Sequence, residues 1–182
     1  PENDEWWGKG YTDWDRVKTA QPHDESHYQP RVPLKQNYYD QSQSDTQKWQ
    51  IDLASNYGIY GFNFYHYWFD GKLLLEKPLQ NFKSLDHDLK YCITWANESW
   101  TKRWEGKISD ILIKQNHKTD YQEWEEHFNY LLPFFLDERY IKIENKPVFC
   151  IYRPDIIHDV DSFISFFKKL ALKNGLTGVD FI

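Results

Sequence analysis

Strand-like and helical segments alternate along most of this 182-residue chain, and this alternation limits the folds that it can adopt. Short runs rich in β-branched and aromatic residues are typical of strands, and apolar residues three and four apart are typical of helices. Strands that alternate with helices predict parallel β/α units. The predicted strands are Ile59 to Phe69, Tyr91 to Trp95, Pro147 to Tyr152 and one that begins at Gly178, and the predicted helices are Ser44 or Asp45 to Tyr57, a short helix after Pro78, Asp120 to about Leu132 and Asp161 to Asn174.

The ends of these segments carry their own signals. Gly58 and Gly175 are expected to stop the helices before them in a left-handed conformation, and Pro133 to kink or end its helix. Residues 1–40 contain many turn formers and are expected to be a long loop region, ordered because it is rich in Trp and Tyr.

Four predicted strands are too few for a complete eight-stranded barrel, which usually needs about 250 residues. The chain is expected to be either about half of a barrel or a small open sheet, and the unusual residues after each strand favour the barrel. We therefore expect one α/β domain over residues 1–182, of the (β/α)8 TIM-barrel type, with only part of the barrel present. The chain starts at Pro1, contains no methionine and stops within a predicted strand, so we interpret it as a fragment.

The composition excludes several classes of function. The net charge is −6 and no stripe of Lys and Arg is present, which argues against nucleic acid as a partner. No apolar run approaches the roughly 18 residues of a membrane span. Cys92 and Cys150 lie in strand-like runs, where buried free thiols are the ordinary interpretation. No zinc-type cluster, other metal site or cofactor motif is indicated.

The segment from Trp95 to Trp104 concentrates aromatic and polar residues directly after a predicted strand, where α/β proteins bind ligands. An Asn-Glu pair at such a position, here Asn97 and Glu98, is typical of retaining glycosidase barrels, in which the Glu is a general acid/base. The alternative is a carboxylate paired with Lys102 or Arg103. Salt bridging or substrate binding is favoured over proton transfer.

Two other strand ends carry candidate site residues. Tyr65 and Tyr67 share one side of their strand, whereas His66 and Trp68 share the other, because side chains alternate. His66 is either a hydrogen-bonded core residue or a site residue. Arg153 could grip a carboxylate, a phosphate or a catalytic Glu through two hydrogen bonds, or could pair internally with Asp155.

Five motifs follow one another along the chain, namely Pro1 to Trp14, Gly58-Ile59-Tyr60-Gly61-Phe62, Tyr65-His66-Tyr67-Trp68-Phe69, Trp95-Ala96-Asn97-Glu98-Ser99-Trp100 and Ile151-Tyr152-Arg153-Pro154. Together they resemble the WbsX-type glycosyltransferase family, which belongs with glycoside hydrolase family 99, the endo-α-mannosidase-like barrels. The resemblance runs over essentially the whole chain.

The resemblance implies a (β/α)8 barrel that acts on carbohydrate, often in lipopolysaccharide O-antigen or capsule synthesis. The family segment normally opens with a further strand before Pro1, and it continues to a later Trp-Asn-Glu-Trp-x-Glu-Gly motif whose two glutamates resemble the catalytic pair of the hydrolases. That pair is expected beyond Ile182, which leaves Glu98 a weak catalytic candidate. The similar Glu123-Trp124-Glu125-Glu126 lies in a predicted helix, and its carboxylates are expected to form a solvated face.

The resemblance also implies a sugar-binding face, with Asp13 as a further acidic contact. Aromatic faces would cover the C–H surface of the sugar, while polar side chains would bind its hydroxyls. The substrate-binding candidates are Tyr65, His66, Trp68, Trp95, Asn97, Glu98, Arg103, Tyr152, Arg153 and Asp13.

The leading hypothesis is that the chain is part of a cytoplasmic carbohydrate-active barrel. When complete, this barrel would transfer or hydrolyse a glycosyl unit of a bacterial surface polysaccharide. Its expected partner is an oligosaccharide or polysaccharide, and its oligomeric state is left open. The second hypothesis is a non-catalytic glycan-binding or scaffold piece that lacks the catalytic Glu pair. A third is that an open half barrel with bare sheet edges does not fold alone.

Overall fold

A computed structural model describes residues 4–28, 31–102 and 107–182 of the chain, with the side chains of residues 107–109 left aside. Within this part, strands and helices alternate as the sequence predicts, and short 3-10 helices span Leu34–Gln36 and Pro154–Ile156. The strands are β1 Gly61–Phe69, β2 Lys72–Leu74, β3 Lys90–Trp95, β4 Trp100–Lys102, β5 Lys107–Ile113, β6 Lys142–Ile143, β7 Lys146–Ile151 and β8 Asp180–Phe181, and the α-helices are α1 Asp4–Trp7, α2 Asp13–Thr19, α3 Ser44–Asn56, α4 Lys77–Ser84, α5 Tyr121–Phe135 and α6 Val160–Lys173.

Four strands form a parallel sheet in the order in which they occur along the chain, namely β1, β3, β7 and β8. Strand β2 pairs antiparallel with the end of β1, β6 pairs antiparallel with the start of β7, and β4 and β5 form a separate hairpin. Gly61 lies so close to β3 that a Cβ there would stand 2.4 Å from the Lys90 carbonyl oxygen. The described strands do not close into a barrel.

The helices that connect the parallel strands all cover one face of the sheet. From α4, Phe82 packs on Phe64 with ring centroids 4.9 Å apart. From α5, His127 packs on Trp95 at 4.8 Å, and from α6, Phe167 stacks on Phe149 at 6.1 Å. We call this the covered face, and it forms the hydrophobic core. Complete burial of a large apolar side chain contributes roughly 1.5–3 kcal/mol, so this layer dominates the stability of the fold.

The opposite face of the same strands carries no helix among the described residues. Asn63 and Thr94 exchange hydrogen bonds of 2.7 and 2.9 Å across β1 and β3. Further along, the rings of Tyr65 and Tyr152 contact edge to face. We call this the open face. It presents polar and aromatic side chains at the carboxyl ends of β1, β3 and β7.

Helix α5 differs from its predicted end. Asp120 caps its N-terminus, since its carboxylate accepts hydrogen bonds from the backbone N–H groups of Gln122 and Glu123. The helix continues through Pro133 to Phe135. Burial of Phe134 and Phe135 holds the last turn in place, and this packing outweighs the backbone hydrogen bond that the proline cannot donate.

The N-terminal region is more regular than the expected loop, because it contains α1 and α2. The backbone N–H of Thr12 donates to the Asp15 carboxylate at 2.7 Å at the start of α2, in the manner of a capping box. The indole N–H of Trp14 donates to the Tyr39 carbonyl at 2.8 Å and ties α2 to the segment before α3.

Candidate active site

A cavity of about 560 Å³ lies on the open face, where β1, β3 and β7 end. We call it the strand-end cavity. The β4–β5 hairpin forms one side of it through Trp100, Thr101 and Ile111. Its complete lining is Tyr65, Tyr67, Ala96, Glu98, Ser99, Trp100, Thr101, Ile111, Tyr152, Arg153 and Ile156.

Aromatic rings form the wall of this cavity. Tyr65 and Tyr152 meet at 6.2 Å with their planes 85° apart, and Tyr67 meets Trp100 at 4.9 Å with a 90° angle. Tyr65 is 58% exposed and Tyr152 is 52% exposed, so their faces are accessible to a ligand. Burial raises the pKa of Tyr67, followed by the effect of Tyr65, so its hydroxyl stays protonated and can donate a hydrogen bond.

Arg153 connects two carboxylates at the edge of the cavity. Its Nε and Nη2 donate to the two Asp155 oxygens at 2.8 and 2.7 Å, while Nη1 donates to Glu98 Oε1 at 3.1 Å. The hydrogen bond from Arg153 lowers the pKa of Asp155, and Asp155 in turn raises the pKa of Arg153. The internal pair with Asp155 is therefore formed with two hydrogen bonds, and Arg153 makes a single further hydrogen bond to Glu98. Such half-exposed ion pairs contribute little stability, so their main effect is to orient Glu98.

Asn97 lies beside the cavity but does not line it. It is 0% exposed, its Nδ2 donates to the Arg153 carbonyl at 2.8 Å, and its Oδ1 accepts from the Arg153 backbone N–H at 2.8 Å. The nitrogen and the oxygen of the amide are thus both hydrogen-bonded within the protein. Asn97 joins the ends of β3 and β7, and it thereby sets the relative position of Glu98 and Arg153.

Three sequence-predicted site residues point to the covered face instead. His66, Trp68 and Trp95 are 3%, 5% and 3% exposed. The Nε2 atoms of His66 and His127 are 3.0 Å apart, and burial lowers the pKa of His66 to about 3 and that of His127 well below its ordinary value. His66 is therefore a neutral, hydrogen-bonded core residue. The structure does not bring these three side chains to the strand-end cavity.

The expectation of a solvated carboxylate face on α5 is wrong for Glu123. This side chain is half-buried and accepts a hydrogen bond from the indole N–H of Trp68. Burial raises its pKa to about 7, against the lowering effect of the Trp68 hydrogen bond. Its spacing of four residues from His127 places it on the stripe of α5 that faces the sheet, and that spacing is the signal that the sequence offers.

The remaining candidates lie elsewhere. Asp13 is exposed and lines a separate cavity of about 790 Å³, formed by the N-terminal segment and residues 38–42. Arg103 lies outside the described residues. The residues that the sequence predicts and the structure brings together are thus Tyr65, Glu98, Tyr152 and Arg153, joined by Tyr67, Ser99, Trp100 and Thr101.

In residues 4–28, 31–102 and 107–182, no group of three or more His, Cys, Asp or Glu side chains could hold a metal ion. Within the same ranges, no helix has both the length and the apolar character needed to cross a bilayer.

Comparisons with known proteins support a carbohydrate-related family. The family described as "Glycosyltransferase WbsX" matches residues 1–182. The chain is 35% identical over 177 residues to "Uncharacterized protein WxcX" of Xanthomonas campestris pv. campestris strain B100, and equally to the protein of the same name in strain ATCC 33913. These matches cover 97% of this chain and 25% of each relative, so the chain spans about a quarter of their length. No solved structure matches. The family match extends over every residue of the chain, and each relative is identical to it at 35% of the aligned positions, so this chain belongs to the WbsX glycosyltransferase family.

Proposed function

We propose that residues 1–182 supply the sugar-binding wall of an enzyme that transfers a glycosyl unit during the synthesis of a bacterial surface polysaccharide, such as O-antigen or capsule. The observation that carries this proposal is the strand-end cavity, which combines accessible tyrosine faces with a Glu–Arg pair. The match to a glycosyltransferase family supports a glycosyl unit as the group that is transferred. Hydrolysis is the same chemistry with water as the acceptor, and the experiment below distinguishes the two.

The chemistry of the cavity suits a sugar ring. The apolar C–H face of a sugar packs on an aromatic face, and Tyr65 and Tyr152 offer such faces across the opening. The hydroxyls of the sugar require partners that both donate and accept. Glu98 accepts hydrogen bonds, Arg153 donates them, and the Ser99 hydroxyl does both.

We further propose that the parallel sheet is part of a (β/α)8 barrel of the glycoside hydrolase family 99 type, completed by chain outside residues 1–182. The chain order of β1, β3, β7 and β8 supports this, as does the placement of α4, α5 and α6 on one face. On the outer edge of β1, residues 61–66 pair with no strand that the structure describes, which leaves room for a further strand. In this arrangement the open face becomes the barrel interior. We also propose that the protein works in the cytoplasm.

The second candidate function is glycan binding without catalysis. One observation favours it for this segment: among the described residues that line the strand-end cavity, Glu98 is the only carboxylate. Glycoside hydrolysis normally uses two carboxyl groups on either side of the scissile bond. The glycosyl-transfer proposal therefore places the catalytic carboxylates downstream of Ile182.

The test uses the full-length protein with oligosaccharides from the producing bacterium's own surface polysaccharide. We expect binding, and formation of a longer glycan when an activated glycosyl donor is present. Tyr152→Ala should weaken binding at least tenfold, whereas Tyr152→Phe, which keeps the ring, should weaken it much less. Release of free sugar without glycan extension would identify a hydrolase. Binding with no turnover under any condition would favour the second candidate, and unaltered binding in Tyr152→Ala would overturn the placement of the site.

A further inference from the structure

The segment between the β4–β5 hairpin and α5 holds the chain on both sides of Glu98. Before Glu98, His117 Nε2 lies 2.8 Å from the Asn97 carbonyl oxygen. After it, the Gln115 backbone N–H donates to Ser99 Oγ at 3.0 Å. We call these two contacts the brace. The peptide before Glu98 and the side chain after it are therefore both held by the same short segment.

The brace continues the pairing of the β4–β5 hairpin towards the sheet. In the hairpin itself, Trp100 is paired with Ile113. The contacts at Ser99 and Asn97 follow in order as the chain approaches the end of β3. A hairpin of two strands is only marginally stable by itself, so contacts at its base decide how it is attached. The brace therefore fixes both Glu98 and the side of the strand-end cavity that the hairpin forms.

One of the two contacts is supplied by a side chain, that of His117. A carbonyl oxygen only accepts hydrogen bonds, so the Nε2 atom that contacts Asn97 carries a proton. Nε2 keeps this proton in the imidazolium ion, in which both ring nitrogens donate. The contact thus requires a donor at this position but no charge.

The His117 ring is itself held in place. It packs on the Trp95 ring, with ring centroids 5.8 Å apart and an angle of 61° between the planes. Trp95 is part of the hydrophobic core. The His117 carbonyl accepts from the His158 backbone N–H at 3.3 Å, which joins it to the segment before α6. The donor is therefore rigidly supported, as a residue that positions a binding group must be.

Glu98 is held from two directions. The brace fixes its backbone, and Arg153 Nη1 donates to its Oε1 at 3.1 Å. Asn97 connects the two supports, because its side-chain amide is hydrogen-bonded to the Arg153 backbone while its carbonyl contacts His117. Asn97 is 0% exposed. Loss of the His117 donor would leave the carbonyl of a buried residue without its partner and would release the peptide that precedes Glu98.

We propose that His117 is a positioning residue of the strand-end cavity, which sets the place of the Glu98 carboxylate through the Asn97 peptide. That this carboxylate then binds a sugar hydroxyl rests on the proposed function. His117 does not itself line the strand-end cavity, so its effect on a ligand passes through Glu98. A histidine that served stability alone would leave the place of this carboxylate unchanged.

Two substitutions of His117 separate the donor from the ring. The amide nitrogen of Gln is as many bonds from Cβ as Nε2 is in histidine, so His117→Gln can still donate to Asn97. The amide nitrogen of Asn is closer to Cβ, so His117→Asn no longer reaches this carbonyl. The control is His87→Asn. His87 is also half-buried and its Nε2 lies 2.9 Å from the Phe82 carbonyl oxygen, but it precedes the amino end of β3.

The place of Glu98 is measured without any ligand, by NMR of the full-length protein with isotope-labelled glutamate carboxyls. The signal that disappears in Glu98→Gln belongs to Glu98. His117→Asn should shift this signal, whereas His117→Gln and His87→Asn should leave it where it is in the wild type. A Glu98 signal that His117→Asn does not move, or that His117→Gln moves equally, would overturn the proposal.

Binding of the oligosaccharides named above tests the consequence for the site. His117→Asn should weaken binding about tenfold, as expected for one lost hydrogen bond, while His117→Gln and His87→Asn should stay close to the wild type. In the Glu98→Gln background, His117→Asn should cause little further loss, because residues that act through one another are not additive. Full additivity would overturn the route through Glu98. If His117→Asn shifts the Glu98 signal but the wild type binds no glycan, the positioning role is upheld and the proposed function fails.

Discussion

The covered and open faces of the sheet use similar side chains for different purposes. On the covered face, Trp68 and Trp95 are buried against α5 and α6, and the histidine pair is neutral. On the open face, Tyr65 and Tyr152 keep half of their surface exposed around a cavity. Adjacent residues of one strand thus alternate between the hydrophobic core and the lining of the cavity. The chemical type of a residue does not tell which role it has; the face on which it lies does.

The largest effect should come from truncating the covered face. Trp95 packs on His127 and on Phe163, so Trp95→Ala leaves a large cavity and should cost about 3–5 kcal/mol of unfolding free energy. Tyr152→Ala on the open face should cost about 0.5 kcal/mol or less. Hydrogen exchange of the β3 and β7 amides in the full-length protein measures both. Equal losses in the two variants would remove the distinction between the faces.

The histidine pair should make the covered face sensitive to acid. Burial lowers the pKa of His66 to about 3 and lowers that of His127 as well, so the unfolded chain binds more protons than the native state once the pH falls below about 6.5. Stability should therefore fall as the pH drops from 6.5 towards 3, by about 1.4 kcal/mol per pH unit for His66 alone, and a further loss from His127 adds to it. The same amide measurement between pH 8 and pH 5 reports the slope.

The exposed His158 provides the control for this slope. His158→Gln removes an imidazole that is not part of the buried pair, so it should leave the pH dependence unchanged. A native state whose stability does not change down to pH 5 would contradict the neutral pair.

The hydrogen bonds between the Asn97 amide and the Arg153 backbone are buried, and a variant of Asn97 tests how much the open face depends on them. Asn97→Ala leaves the N–H and carbonyl of Arg153 without their partners and should cost about 1–3 kcal/mol, with weaker sugar binding. The matched variant is Asn63→Ala, which also removes an amide that joins two neighbouring strands. Asn63 is exposed, so water can replace its bonds and the cost should be smaller. If Asn63→Ala lost more unfolding free energy than Asn97→Ala, the buried amide would not be the more important of the two links.

Glu123 changes the pH dependence of stability in the opposite direction to the two histidines. Its folded-state pKa is raised to about 7, so its stabilising contribution is complete below about 4.5 and is lost as the pH rises through 7. Glu123→Gln, which still accepts from Trp68, should be more stable than the wild type above pH 7, on the order of 1 kcal/mol because solvent screens a half-exposed group. Glu125→Gln on the exposed side of α5 should show no such gain.

Much of the fold follows from the sequence because strands and helices have distinct hydrophobic periods. The third predicted strand, Pro147 to Tyr152, lies within one residue of β7, and the predicted stops at Gly58 and Gly175 both have positive φ. The helices α1 and α2 were not predicted, since four and seven residues are too short for a clear period. Their stability comes from contacts such as that of Trp14 with Tyr39.

The sequence predicts where the strand-end cavity lies, but it does not predict the full lining of that cavity. Alternation along β1 separates Tyr65 and Tyr67 from His66 and Trp68, yet only the packing of α5 decides which pair is buried. Asn97 lies next to Glu98 in the sequence and has the same polar character. Its partner is the backbone of Arg153, 56 residues away, a contact that no local pattern encodes.

The smallest effect on stability, and the most informative about function, belongs to Glu98. Its ion pair with Arg153 is partly exposed on both sides, so Glu98→Gln should change the unfolding free energy by about 0.5 kcal/mol or less. If Glu98 orients and binds sugar, this variant weakens binding and raises KM while kcat changes little. If Glu98 is instead the proton donor, kcat falls by at least a hundredfold with binding intact. We expect the first outcome, because Arg153 already holds the Glu98 carboxylate as a hydrogen-bond acceptor at the wall of the strand-end cavity.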